Sequence, residues 1–443
     1  MQAGLAQPDR EGVLMAYRIA MLADTHLGFS ARCRIHPPSG LNERVRDGYM
    51  GLRTTVEQIV AAEPDVVLHG GDLFHRSHPG INDIAWARRQ LEVLSRAGIP
   101  VYANTGNHDF ANERGKQPAT AAVHDPDRGI TMVTEPMAVF SPLDGLNVHL
   151  VSHLGLMSAE RSMPEPVDGE VNILVSHGAA QVPGHPIFAC VDSPGEAVIG
   201  YDALSLPWNI TLLGHYHGMD PLPGFNSGGT GQAWYAGSLL RRGFSDPPGG
   251  RGWLLVTVND DGTVTVERRF VDQRPQFDLP FIDAAGLTGA DVEEQIRAAL
   301  AGVQIPEAIL RQRVVNCSLP VRRGVDTASL ALLTEPALTW QLEFTRPALT
   351  DYAELTDEEA AVGSLTTASA ADLPSMWAGW FDGYADSAGL AETLRPTVAE
   401  RGAALLEEVS VQVETGADAA PAAAPDANGT GDASELATSE VTA

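Results

Sequence analysis

Lysine is nearly missing from this chain: Lys116 stands alone and every other cation is an arginine. The 29 basic side chains face 57 acidic ones, for a formal charge of −28. That shortage of positive charge argues against a free-standing, tight binder of nucleic acid, which needs a basic footprint. The arginine bias itself fits a GC-rich genome better than any function. Cysteine is scarce too. Cys33, Cys190 and Cys317 are odd in number, far apart and never in a C-x-x-C pair. This argues against a disulfide framework or a thiolate zinc site and suits an intracellular chain. No apolar run reaches membrane-spanning length, and residues 1–16 lack the apolar core of a signal peptide. They read as a disordered N-terminus, with Met15 a candidate start just before the first strand.

What is present suffices for two or three domains: 443 residues, of which 44% are hydrophobic. The negative charge is concentrated. Residues 351–443 hold 18 acidic and 2 basic side chains, a net of −16. Residues 415–443 are rich in Ala, Asp, Gly, Thr and Ser and read as a disordered acidic tail.

The organising stretch is Val66-Val67-Leu68-His69-Gly70-Gly71-Asp72. A short β-branched run predicts a buried parallel strand, two glycines permit a sharp turn, and Asp72 emerges at the strand's carboxyl end. The same order recurs four times. Tyr17–Leu22 leads to Asp24 and His26, expected to share one side of an extended segment. Val101–Ala103 leads to Asn107 and His108, Val171–Val175 to His177, and Ile210–Leu213 to His215 and His217. Amphipathic helices follow the first and second of these strands, so the expected core is a parallel sheet of βαβ units. A hairpin over Trp253–Val258 and Val264–Phe270 would close this domain near residue 272.

These strand ends gather oxygen and imidazole ligands without thiolate, a set that suits Mn, Fe or Zn. They are too many for one tetrahedral ion. Two ions sharing Asp72 would use all of them except His108. A pair about 3.5–4 Å apart can clamp the attacking and leaving oxygens of a phosphoryl displacement. His108 directly follows a ligand, so its side chain should point at the phosphoryl oxygens or the leaving group.

The strings Asp24-Thr25-His26, Gly71-Asp72, Gly106-Asn107-His108-Asp109, His177 and Gly214-His215-Tyr216-His217 resemble the calcineurin-like metallophosphoesterases, complete and in order. Within them, Gly71 to Arg76 and the loop Gly28 to Asp47, with Leu41-Asn42-Glu43-Arg44, resemble the DNA double-strand-break repair nucleases of the SbcD-like kind. The G-D-x-x-D-R-G and G-N-H-E strings of protein phosphatases are absent. The resemblance implies a four-layer α/β/β/α sandwich over 17–272, a small α+β capping domain over 277–346 and a helical partner-binding segment over 370–412.

It further implies that Asp24, His26, Asp72 and His217 hold one ion and Asp72, Asn107, His177 and His215 the other, with Mn²⁺ the metal that the resemblance implies. His108 would stabilise the transition state or protonate the leaving group, and His75 would position the DNA phosphate. Arg32, Arg34, Arg44 and Arg46 can lie along a phosphate backbone or on a solvated loop. The aromatic stripe with Met376, Trp377, Trp380, Phe381 and Tyr384 can be local core or a partner groove, and the thin apolar surroundings favour the groove. The implied function is a Mn-dependent exonuclease and endonuclease for double-strand ends and hairpins, cytoplasmic and nucleoid-associated. Its partner would be an SMC-like, SbcC-like coiled-coil ATPase, with a homodimer inside a heterotetramer. A cyclic-nucleotide phosphodiesterase and a non-cutting structural subunit are the alternatives.

Overall fold

Strand Ala16–Leu22 is buried from Ile19 onward because it lies inside a six-stranded sheet. Val66–His69 pairs parallel to it on one side, followed by Val101–Ala103 and Ile130–Met132. Arg251–Asn259 pairs antiparallel on the other side and turns back as Val264–Val271, the expected hairpin. A second sheet has five strands in the order Gln232–Tyr235, Ile210–Gly214, Val171–His177, Leu146–Val151, Met137–Leu143. The computed structural model describes residues 16–110, 117–158, 163–184, 197–225, 231–259, 261–347, 377, 381 and 393–415.

The sheets face each other across one apolar core. Ile19, Met21, Val66 and Leu68 of the first meet Val148, Leu150, Ile173, Val175, Ile210 and Leu212 of the second. Alternation along each strand sends the intervening residues outward. Ala20, Leu22 and Val67 pack under helices Glu43–Ala62 and Ile81–Arg96 through Leu52, Val56, Ile59, Leu91 and Leu94. Leu174, Leu213 and Tyr235 pack outward against Leu156, Leu204 and Trp208. This is the four-layer α/β/β/α sandwich expected, with the second helical layer reduced to short pieces at His153–Met157 and Tyr201–Leu204.

The first helix begins earlier than its apolar periodicity suggests. Asn42 caps it by accepting from the Arg44 backbone N–H, so Arg44 and Arg46 belong to the helix and not to the loop before it. The chain divides into Met1–Thr345 and Arg346–Ala443. Within the first unit, residues 276–344 build their own four-stranded sheet and core around Val292, Ile296, Leu300, Leu310 and Val314. Phe277–Ile282 reads in the sequence as one strand, but the structure has two short ones, Gln276–Asp278 and Ile282–Asp283, because Pro280 has no N–H to continue the ladder. The run Val314–Leu319 also reads in the sequence as a strand, but the strand formed is Ile309–Val315. Asn316, at φ +53°, ends it, and Leu319-Pro320 opens a helix.

The second unit contributes helix Arg395–Thr415. The Trp377 indole donates to the Ala399 carbonyl of that helix at 2.9 Å and stacks on Phe381 at 5.3 Å.

Candidate metal centre

The carboxyl ends of five strands, three from one sheet and two from the other, meet at one edge of the sandwich. The loops after Ala16–Leu22 and Val66–His69 run side by side. Asp24 N–H donates to Gly71 O, His26 N–H to Asp72 O and Leu27 N–H to Leu73 O, at 3.0, 3.0 and 2.9 Å. The extended geometry expected for Asp24-Thr25-His26 is not what delivers the side chains. Asp24, His26, Asp72 and His215 have φ of +48°, +46°, +56° and +98°, all on the left-handed side. Such backbone is strained for side-chain-bearing residues, though Asp and His tolerate it better than most. Two glycines make the approach possible. A Cβ on Gly106 would lie 2.1 Å from Asp72 Oδ1, and one on Gly71 2.5 Å from His177 Nδ1.

Asp24, Asp72, His26, His177, His215 and His217 are all buried. Asp24, His26 and His217 each bring a ligand atom within 4.8 Å of the others, as do Asp24, Asp72 and His177. Asp72 Oδ2 lies 3.6 Å from His26 Nε2 and 3.4 Å from His177 Nε2, facing both sets. Asn107 Oδ1 lies 2.9 Å from His177 Nε2 and 3.3 Å from His215 Nδ1.

Hydrogen bonds behind the rings fix which nitrogen faces inward. His177 Nδ1–H donates to Gly70 O at 2.8 Å, and His217 Nδ1–H to Asp246 Oδ1 at 2.9 Å. Both Nε2 atoms are thereby turned toward the cluster, the arrangement by which carboxylates and carbonyls orient metal-ligating histidines. His217 Nε2 and His26 Nε2 are only 3.2 Å apart. Two imidazole nitrogens at that distance need a cation, or a proton, between them.

The electrostatics say the same. Burial pushes Asp24 up to about 6, eased by His177 and His217. Burial also opposes ionisation of Asp72, but His177, His26 and His108 outweigh it and hold that carboxyl well below its usual range. Burial would lower His177, yet Asp72 and Asp24 raise it to about 9. A histidine held protonated between two buried carboxylates marks a place that demands positive charge. Buried carboxylates, an amide oxygen and inward-facing imidazoles without thiolate are the donor set of an intermediate divalent ion. The residues fit two such ions.

His108 sits beside this cluster. Its backbone N–H donates to Asp72 Oδ1 at 2.9 Å, and its Nδ1–H donates to the His75 carbonyl at 2.8 Å. The His75 and His108 rings stack at 5.3 Å. Asp109 closes the arrangement from behind, accepting from Leu73, Phe74 and Gly106 N–H groups. His69 lies behind the site, buried and bonded to Thr25 Oγ1 at 2.8 Å.

Two residues in the site carry no sequence motif. Asp246 holds His217, and its other oxygen accepts from the Arg242 backbone N–H at 2.7 Å. Burial alone would raise Asp246, but the bond to His217 and the nearby Arg242 bring it to about 2. Arg242 reaches inward, with Nη2 3.2 Å from His217 Nε2 and Nη1 3.4 Å from His75 Nδ1.

The arginines proposed for nucleic acid separate. Arg32 is exposed. Arg34 pairs with Glu307, and Arg46 lies 3.6 Å from Glu43. Arg44 corrects the expectation: it is buried, pairs with Asp47 at 2.8 Å and donates to the Arg241 carbonyl, so it supports the loop carrying Arg242 and Asp246. Of the aromatic stripe, Trp377 and Phe381 are engaged within their own unit, and Phe381 is buried. Met376, Trp380 and Tyr384 lie outside the described residues.

Residues 17–219 match the calcineurin-like phosphoesterase family model. The DNA double-strand break repair protein Mre11 of Haloferax volcanii is 28% identical over 307 residues, 66% of this chain and 60% of that protein. Its counterpart in Halobacterium salinarum is 33% identical over 60% of this chain and 62% of that protein. The Methanosarcina mazei protein is 24% identical over 58% of this chain and 38% of its own length. The chain thus spans about three-fifths of the length of the first two relatives. The sandwich, the clustered ligands and the match agree that residues 17–219 carry a calcineurin-like metallophosphoesterase domain.

Proposed function

We propose that this protein is a Mn²⁺-dependent DNA nuclease that hydrolyses phosphodiesters at double-strand ends and hairpins. The observation that carries the reading is the position of Asp72 Oδ2 between His26 and His177, which suits a carboxylate shared by two ions. Asp24, His26, Asp72 and His217 would hold one ion, and Asp72, Asn107, His177 and His215 the other. Such a pair supplies Lewis acidity and a clamp for the oxygens of an in-line displacement.

The chain's own groups do the rest. Gly70 and Asp246 hold the His177 and His217 rings so that each presents Nε2 to the cluster, where it would ligate. The His75 carbonyl keeps the proton of His108 on Nδ1, so His108 Nε2 can take up and release the second proton. His108 is the donor to the phosphoryl or leaving oxygen, and His75 positions the phosphate. DNA as substrate is supported by the double-strand break repair relatives.

The residues at 276–344 serve as a capping domain. The acidic balance of the chain leaves DNA affinity and end opening to an SMC-like, SbcC-like ATPase, bound through the C-terminal helical segment by a homodimer in a heterotetramer. The assembly works in the cytoplasm at the nucleoid; no described helix is long and apolar enough to cross a membrane. Mn²⁺-dependent cleavage of linear duplex and hairpin DNA, lost in Asp72→Ala and His108→Ala, tests this. Cleavage untouched by either change overturns it, and turnover of cyclic nucleotides in preference to DNA would redirect it.

A further inference from the structure

Arg242 belongs to none of the five ligand strings, yet its guanidinium reaches two histidines of the site. It touches His217, a proposed ligand, and His75, the proposed phosphate-positioning residue, at 3.2 and 3.4 Å. The side chain comes from a loop that is fixed from several directions. Asp246 accepts from the Arg242 N–H. Gln273 accepts from the Arg241 N–H at 3.2 Å and donates to the Leu239 carbonyl at 3.0 Å. The buried Arg44 donates to the Arg241 carbonyl. The Arg311 guanidinium stacks 4.5 Å from the centre of the Phe244 ring. A loop held this firmly gives its arginine a defined position, which is the condition for precise recognition.

A guanidinium at imidazole nitrogens that face a cation site has no gain in being there for the ligands alone. It adds positive charge where two ions would already supply it. What benefits is an anion arriving between them. Guanidinium forks match the oxygens of a phosphate, and they keep their charge at any working pH. We propose that Arg242 contacts the substrate, donating from its Nη groups to a non-bridging oxygen of the phosphodiester being hydrolysed. The proposal rests on the phosphodiesterase reading above and adds a fixed cation to it, supplied by the chain itself. Arg44, Gln273 and Asp246 are then positioning residues that act through the loop.

Bis(p-nitrophenyl) phosphate has a single phosphate, so it isolates contacts to the reacting group from contacts along a polymer. Arg242→Ala in the full chain is expected to lower kcat/KM on this ester by about 10²–10³-fold, the range for removing one preorganised oxyanion donor. Arg242→Lys should keep part of the activity, and added guanidinium ion should restore part of it to Arg242→Ala. Manganese content by elemental analysis should match wild type. A second measurement needs no turnover: inorganic phosphate titrated calorimetrically into the Mn²⁺-loaded protein should bind at least tenfold more weakly to Arg242→Ala.

Wild-type kcat/KM and wild-type phosphate affinity in Arg242→Ala would overturn the proposal. So would a loss of activity that tracks loss of metal and is not rescued by guanidinium, since that marks a purely structural arginine. If wild type hydrolyses no phosphodiester, the nuclease reading fails, and the phosphate titration still decides the role of Arg242.

Discussion

His217 donates through Nδ1 to Asp246, 29 residues later in the chain, at 2.9 Å. The bond fixes the ring that faces His26 and makes an acidic residue outside the ligand strings part of the candidate metal centre. Removing it leaves His217 free to rotate or to take the wrong tautomer. Asp246→Ala should weaken Mn²⁺ binding by about 10–100-fold, the usual effect of losing such an outer partner. Asp246→Asn keeps an accepting oxygen and should fall between. Isothermal titration with Mn²⁺ measures both, and equal affinity in all three proteins would show that His217 needs no such support.

Four buried ligand residues with left-handed backbone, two of them carboxylates, make a centre that ions should relieve. A ligand that binds only the folded state stabilises it by about 2.7 kcal/mol at a hundredfold excess over its Kd. Mn²⁺ should therefore raise the melting temperature of the protein, and chelation should reverse the rise. Asp72→Ala should abolish most of it. A melting temperature indifferent to Mn²⁺ contradicts the proposed centre.

His108 bonds to Asp72 through its backbone and to the His75 carbonyl through its ring. It should therefore be dispensable for metal and necessary for turnover. His108→Ala should retain two manganese ions per chain and lose about 10²–10⁴-fold in rate, as expected for a general acid. Loss of metal in this variant would move His108 into the ligand set.

Gly106 offers a steric test of the same centre. A methyl group there would meet Asp72 Oδ1 at 2.1 Å and the Asp72 backbone nitrogen at 2.5 Å. Gly106→Ala should displace Asp72 and reduce bound manganese, while far-ultraviolet circular dichroism stays close to wild type. Normal metal content would show that the loop can move aside without cost.

An ion network joins the sandwich to the residues beyond 276. Arg274 pairs with Asp47 at 2.8 Å and with Glu307 at 2.5 Å, and Arg34 also reaches Glu307. Slight burial would raise the Glu307 carboxyl, but the two arginines lower it from 4.5. A lowered carboxyl contributes stability that is fully present above its unfolded value and lost as pH falls through the folded one. Glu307→Gln should thus cost about 0.5–1 kcal/mol at pH 7 in low salt, in keeping with a partly exposed pair. The difference should shrink below pH 4.5 and in high salt. Thermal melts of both proteins across that range check it, and a difference independent of pH and salt would remove the ionic explanation.

The ligand strings were legible because each is local: a short apolar strand, then a polar residue at its carboxyl end. The same locality explains the hairpin at Arg251–Val271 and the parallel order of the four first-sheet strands between Ala16 and Met132. What was not legible depends on distant partners. Arg44 looks like any loop arginine until the Arg241 carbonyl, 197 residues away, is brought to it. Asp246 and Arg242 lie on a loop without a motif, and only the fold carries them to His217. The left-handed backbone at Asp24 and His26 is equally invisible, because it is imposed by pairing with Gly71 and Asp72. Two local signals in the sequence mark boundaries that the apolar pattern misses. Pro280 marks the break between the short strands that flank it, and Asn42 marks the true start of the first helix.

The most direct test of the shared-carboxylate centre is a crystal grown with Mn²⁺ and measured at the manganese absorption edge. Two anomalous peaks about 3.5–4 Å apart, with Asp72 between them and His26 and His177 on opposite sides, are the predicted result. A single peak, or two peaks that do not share Asp72, would contradict it.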